Sequence, residues 1–193
     1  DFKIIVLRPP MIYGKGSKGN YPILAKFAKK LPVFPDVDNE RSMLYIENLC
    51  EFLCQIMLVK EFQQNAVVLI PQNREWTKTS EMVKEIAEVS GRKIEIFKAL
   101  NPAVSIASKV PGKTGRLVNK AFGNSCYEHE VSIYEGIDYQ KISLTRSVEM
   151  TETARSDESK DNIEDGADGQ KKVLLLASVA SMIDQFNMSN IAI

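Results

Sequence analysis

Apolar and polar positions along this chain fall into blocks, and the period of each block assigns it to a strand or a helix. Lys3 to Leu7 is an unbroken aliphatic run closed by Pro9-Pro10, which predicts a strand buried on both faces, as in a parallel sheet. Tyr21 to Lys30 sets Ile23, Leu24 and Phe27 on one side and Lys26, Lys29 and Lys30 on the other, the pattern of an amphipathic helix. A short extended piece, 31–35, follows between prolines. Met43 to Ile46 reads as a strand, Glu47 to Val59 as a helix with Leu49, Phe52, Leu53, Ile56 and Met57 inward, and Ala66 to Ile70 as a further buried strand. Thr79 to Ser90 predicts a helix with Thr79 as N-cap, Glu81 in its first turn and Gly91 as its stop, before a strand at Lys93 to Phe97. Strands that keep alternating with helices argue for α/β layering.

From Asn101 the pattern loosens. Asn101-Pro102 starts a helix that Pro111-Gly112 breaks, Lys113 to Phe122 offers another, and Ser143 to Thr153 is the last helix of this unit. Residues 154–170 hold few apolar side chains and many carboxylates, the composition of a solvated linker. Lys171 to Ser178 then restarts a basic-then-apolar strand, and Ile183 to Ile193 resembles the entry to a helix. These pieces cannot bury a core of their own, so the organisation predicted is a domain at 1–153, a linker at 154–170 and the opening of a second domain at 171–193.

Charge narrows the function. Lys+Arg and Asp+Glu both total 25 in 193 residues, so no global field draws in nucleic acid or an anionic membrane. The apolar run near residue 175 is too short to span a bilayer, and a reduced, cytoplasmic setting is expected. Cys50, Cys54 and Cys126 form no C-x-x-C and accompany one histidine, His129, which disfavours zinc or a disulfide framework. Cys50 and Cys54 are expected to be small buried packing residues, and His129 to be structural.

Gly14-Lys15-Gly16-Ser17-Lys18-Gly19 spells G-x-G-x-x-G, the dinucleotide fingerprint, which requires its first glycine at a strand end. Six residues separate Leu7, the end of the first predicted strand, from Gly14, so the spacing argues against that reading. A solvated surface loop and a loop lying over a phosphorylated ligand remain as alternatives.

Taken in order, "VLRPPMIYG", "LPVFP", "NERSMLYIENLCEFL" and "FGNSCYE … SVEMTE" resemble the C-terminal half of the NAD-dependent epimerase/dehydratase family, the extended short-chain dehydrogenases typified by UDP-sugar 4-epimerases. The resemblance covers about residues 1 to 153. It implies the C-terminal part of a Rossmann-like parallel sheet together with a small α/β substrate-binding region. It also implies an NAD-dependent reaction on a UDP-hexose: hydride leaves the sugar carbinol and returns to the other face of a keto-sugar intermediate. No Tyr-x-x-x-Lys occurs in the sequence, so no catalytic residue is assigned and the chain alone is expected to be inactive. By the resemblance, Pro10 and Met11 pass the nicotinamide, Asn20 contacts the phosphate or sugar, Val33 and Phe34 pack on the uracil, and Arg41 grips the pyrophosphate. A bidentate guanidinium suits that last role, and a surface salt bridge with Glu40 or Glu47 is the alternative. The family's usual aspartates are Ser42 and Asn48 here. The full enzyme is expected to be a homodimer. A dehydratase or reductase of the same family, or an NmrA-like nucleotide sensor, is a further reading. Residues 171–193 resemble the first strand and helix of a glycosyltransferase with two Rossmann-like domains, which would join synthesis of a UDP-sugar to its use in polysaccharide assembly.

Overall fold

A computed structural model describes residues 3–59, 62, 64–109, 111, 118–119 and 121–158. Among the described residues six short strands pair two by two, always in parallel: β1 (Ile4–Leu7) with β5 (Ala66–Leu69), β2 (Met11–Tyr13) with β4 (Met43–Tyr45), and β3 (Val33–Pro35) with β6 (Glu95–Phe97). Parallel partners need crossovers, and the intervening helices supply them. Helix α1 (Tyr21–Lys30) lies between β2 and β3, α2 (Ile46–Ile56) between β4 and β5, and α3 (Thr79–Val89) between β5 and β6. Helices α4 (Asn101–Ser108) and α5 (Leu144–Glu158) follow, so the α/β class and parallel pairing expected of the sequence are present.

Each helix is placed by its apolar stripe. On α2, Ile46, Leu49, Phe52 and Ile56 recur at helical spacing and are buried; burying Phe52 alone stabilises the fold by about 2–3 kcal/mol. Phe52 meets Tyr139 edge-on at 5.0 Å between ring centroids. Helix α3 buries Met82, Val83, Ile86 and Ala87, packs against both α1 and α5, and ends at Val89, with Gly91 at positive φ just beyond its cap Ser90. Helix α1 stops where Leu31 turns extended ahead of Pro32, since the residue before a proline avoids the helical region.

Several boundaries differ from the sequence reading. Ile46 opens α2 instead of closing β4. Thr79 is the first helical residue of α3, and the cap position belongs to Lys78, whose backbone N–H donates to Glu81 Oε2 at 3.0 Å. Thr79 is instead bonded sideways: its Oγ1 accepts from Asn39 Nδ2 at 2.9 Å and donates to the Ala121 carbonyl at 2.7 Å. Cys54 and Cys126 are exposed, and only Cys50 packs against the core. Helix α5 runs to Glu158, five residues into the stretch read as linker. The remainder of that stretch, the segment 171–193 and most of the helix expected at Lys113 to Phe122 lie outside the described residues.

A largely buried polar seam ties α5 and Ile142 to β2, α1 and α2. Tyr13 stacks on Tyr21 at 5.5 Å, shares a 2.6 Å hydrogen bond with Ser147 Oγ and accepts from Asn73 Nδ2 at 3.0 Å. Tyr21 donates to Glu152 Oε1 at 3.1 Å, and the other carboxylate oxygen pairs with Lys29. Asn48 donates to Asn73 Oδ1 and to the Ile142 carbonyl, and accepts from the Ile142 N–H, so its whole carboxamide is used.

Candidate functional site

The ends of β2 and β4, helix α1 from Asn20 to Phe27, the start of α3 at Thr79 and Ala121 converge on one open cleft. Its lining is mostly apolar: Met11, Ile23, Leu24, Phe27, Met43 and Ala121, with Asn20, Arg41 and Thr79 as the polar members. Three residues singled out from the sequence, Met11, Asn20 and Arg41, therefore meet in one place. Pro10 is half-buried in the turn leading to Met11 and does not line the cleft. Phe34, 2% exposed, sits behind the wall, packing on Phe27 at 6.4 Å and on Phe122 at 5.6 Å. Val33, 39% exposed, pairs with Glu95 in β3–β6 and points elsewhere.

Arg41 is held from three sides. Its backbone bridges Thr77 and Ser125: the Thr77 N–H donates to the Arg41 carbonyl at 3.0 Å, and Ser125 donates to Glu40 and accepts from Ser42. Ser42 Oγ accepts from the Tyr127 N–H at 2.9 Å, and Asn124 Oδ1 accepts from the Glu40 N–H at 3.0 Å. Ser42, where the related pattern carries aspartate, is thus committed to fastening this segment. The guanidinium donates through Nη1 to the Gly123 carbonyl at 2.8 Å. Neither Glu40 nor Glu47 pairs with it, and no carboxylate among the described residues does. Burial consequently draws the Arg41 pKa below its usual range. Asn20 opens α1 without using its side chain as a cap, which leaves the carboxamide available to the cleft.

Sequence reading missed Thr79 and Ala121 as wall residues, because the hydrogen bond joining them spans 42 positions and leaves no local trace. Ile23, Leu24 and Phe27, read as one apolar side of α1, all line the cleft; Leu24 is buried while Ile23 and Phe27 are partly exposed. His129 stacks on Trp76 at 5.0 Å, away from the cleft lining.

The glycine loop differs from the dinucleotide fingerprint for another reason than spacing. Strand β2, not expected from the sequence, ends at Tyr13, so Gly14 does stand directly at a strand end. What separates the loop from the fingerprint is its last glycine. That position normally lets helix and strand pack closely, yet a Cβ on Gly19 would meet nothing within 4 Å. Gly14 is the constrained position, at φ +149° with Ile46 Cγ2 only 2.3 Å from where a Cβ would stand.

No family model matches the chain. A UDP-glucose 4-epimerase of Vibrio cholerae is 30% identical over 90 residues, covering 45% of this chain and 27% of that protein. Among solved structures, the UDP-glucuronic acid 4-epimerase from Bacillus cereus in complex with NAD superposes with a TM-score of 0.54 at 13% identity, over 81% of this chain and 46% of that one. The fold is that of the NAD-dependent epimerase/dehydratase family. The UDP-glucose 4-epimerase of Thermus thermophilus, in complex with NAD, shares this epimerase/dehydratase fold, with a TM-score of 0.51 at 17% identity over 77% of this chain and 45% of that one. The chain spans about half the length of these solved structures. No described helix is long and apolar enough to cross a membrane.

Proposed function

We propose that this chain is the substrate-binding portion of an NAD-dependent UDP-hexose epimerase, and that the cleft holds the nucleotide part of the sugar nucleotide. The observation that carries the proposal is Arg41, a half-buried cation in an apolar cleft whose only described hydrogen-bond acceptor is a neutral carbonyl. Such a group is stabilised by an anion that brings its own negative oxygens, and a pyrophosphate offers several in the geometry a guanidinium fork matches. Asn20 would add a neutral donor to the phosphate or sugar. Phe27 would present a ring to the base, supported from behind by Phe34.

The described residues offer no cradle for the pyrophosphate of NAD, given the open space around Gly19, and contacts to that cofactor from this chain would be confined to Pro10 and Met11. When bound in the full enzyme, NAD supplies a hydride acceptor and donor, so the sugar carbinol passes through a keto form and back. This chain's part is to bind and orient the nucleotide. The proposal extends to a homodimeric, cytoplasmic whole enzyme and to residues 171–193 as the start of a glycosyltransferase that consumes the product in polysaccharide assembly.

Calorimetric titration of UDP into the chain tests the site. Replacing Arg41 with alanine is expected to weaken binding by about 1.5–3 kcal/mol, the range for a charged hydrogen bond. An unchanged dissociation constant would remove Arg41, and with it the reading of the cleft.

A further inference from the structure

Helix α1 presents three distinct sides. Tyr21 and Lys29 turn toward α5, where both reach Glu152. Ile23 and Phe27 turn toward the cleft. At 100° per residue, Lys26 and Lys30 fall between these two sides, and both are exposed. No hydrogen bond or ion pair engages either among the described residues. Lysines at spacings of three and four on one face repel one another, so this side of α1 is a cationic strip that gains from an anionic cover.

The chain itself carries such a cover close by. Glu152 already joins α5 to Lys29, and α5 ends at Glu158, about 9 Å further along its axis by helical rise. The next residues contain Asp161, Glu164, Asp165 and Asp168 against a single cation, Lys160. Extended chain covers at most ~3.5 Å per residue, so these carboxylates can lie from about 10 to 35 Å beyond the helix end. Lys26 and Lys30 are within one helical turn of Lys29, inside that reach. A tethered segment meets the strip at a high effective concentration, which lets weak surface pairs accumulate.

We propose that the acidic segment 159–170 docks back on the Lys26/Lys30 strip of α1.

Carbodiimide coupling, which joins a carboxylate to an amine only where they touch, tests this on the full chain. After digestion and mass spectrometry, carboxylates of 161–168 are expected to couple to Lys26 and Lys30 about fivefold more than to the exposed Lys84 and Lys93, the bias a favourable surface pair gives. At 0.5 M NaCl the bias is expected to vanish, because the pairs are screened. The double substitution K26E/K30E changes two exposed positions and should leave the circular dichroism unaltered while lowering total coupling to 161–168. Even coupling over all surface lysines at low salt would overturn the proposal. So would coupling that, in a mixture of light and heavy isotopic chains, runs chiefly between molecules.

Discussion

Replacing Asn48 with alanine should be among the more damaging single changes to this domain. Asn48 is buried, and its carboxamide is fixed by backbone groups: Ile142 N–H donates to Oδ1 at 3.1 Å and the Ile142 carbonyl accepts from Nδ2 at 3.0 Å. Those two bonds leave no freedom to exchange oxygen and nitrogen, and the remaining donor reaches Asn73 Oδ1 at 3.1 Å. Truncation removes three hydrogen bonds worth about 1 kcal/mol each and leaves the Ile142 N–H and carbonyl without their partner, so a loss of about 3 kcal/mol is expected. Asn73 keeps its bonds to the Tyr45 N–H and to Tyr13, which limits the damage to the 142 side of the seam. Urea unfolding followed by circular dichroism measures the change, with the slope expected to match the parent because the fold is unaltered. A loss below about 1 kcal/mol would refute the reasoning, since it would mean that the seam is not bonded in the native state. The geometry also explains why asparagine stands where the related pattern has aspartate: an ionised carboxylate accepts only, and could not donate to two oxygens.

The remaining predictions concern the glycines, the cleft wall and alkaline stability. Gly14→Ala should cost about 2 kcal/mol or more, from its positive φ and the clash with Ile46, whereas Gly19→Ala should stay within about 0.5 kcal/mol of the parent; a thermal melt separates the two. Gly123→Ala would place a Cβ 2.5 Å from the Asn119 carbonyl oxygen and displace the carbonyl that holds Arg41. A destabilisation of about 1–3 kcal/mol, together with weaker UDP binding by calorimetry, is expected. Burial holds the Tyr13, Tyr45 and Tyr139 hydroxyls protonated beyond the usual tyrosine range. Their folded-state pKa values exceed the unfolded value of about 10, so their contribution is complete below that pH and is lost as pH rises toward the folded values. Urea midpoints between pH 8 and 11 should therefore fall above about pH 10, and Tyr13→Phe should soften the fall.

Elements with a strong local period were legible in the sequence. Tyr21 to Lys30 matches α1 at both ends, because its apolar and basic sides separate cleanly and a proline fixes its stop. Strand β2 was not legible: three residues after a double proline have no measurable alternation, and Met11 to Tyr13 is a strand only because β4 pairs with it. The N-cap assigned to Thr79 failed for a related reason. Threonine before an apolar stripe normally signals a cap, but here Asn39 and Ala121 compete for its hydroxyl across the fold, and Glu81 reaches back to Lys78 instead.

The site shows the same division between local and distant information. Met11, Asn20 and Arg41 were named through the family resemblance rather than from their own pattern, and the structure brings the three together in the lining of one cleft. Arg41 is a cation two residues before a strand that is buried throughout. What the sequence could not supply is the absence of a counter-charge. Glu40 and Glu47 both lie close in the chain, and only the placement of β4 and α2 shows that neither reaches the guanidinium. Arg41, which no carboxylate among the described residues engages, carries the proposed anionic ligand more than the glycine loop beside it does. The loop's spelling suggested a dinucleotide, but the open space at Gly19 removes the close packing that such a motif exists to permit. Under the proposed function the two observations lead the same way: the loop lacks the close packing of a dinucleotide motif, and Arg41 would supply the charge that meets an anionic ligand.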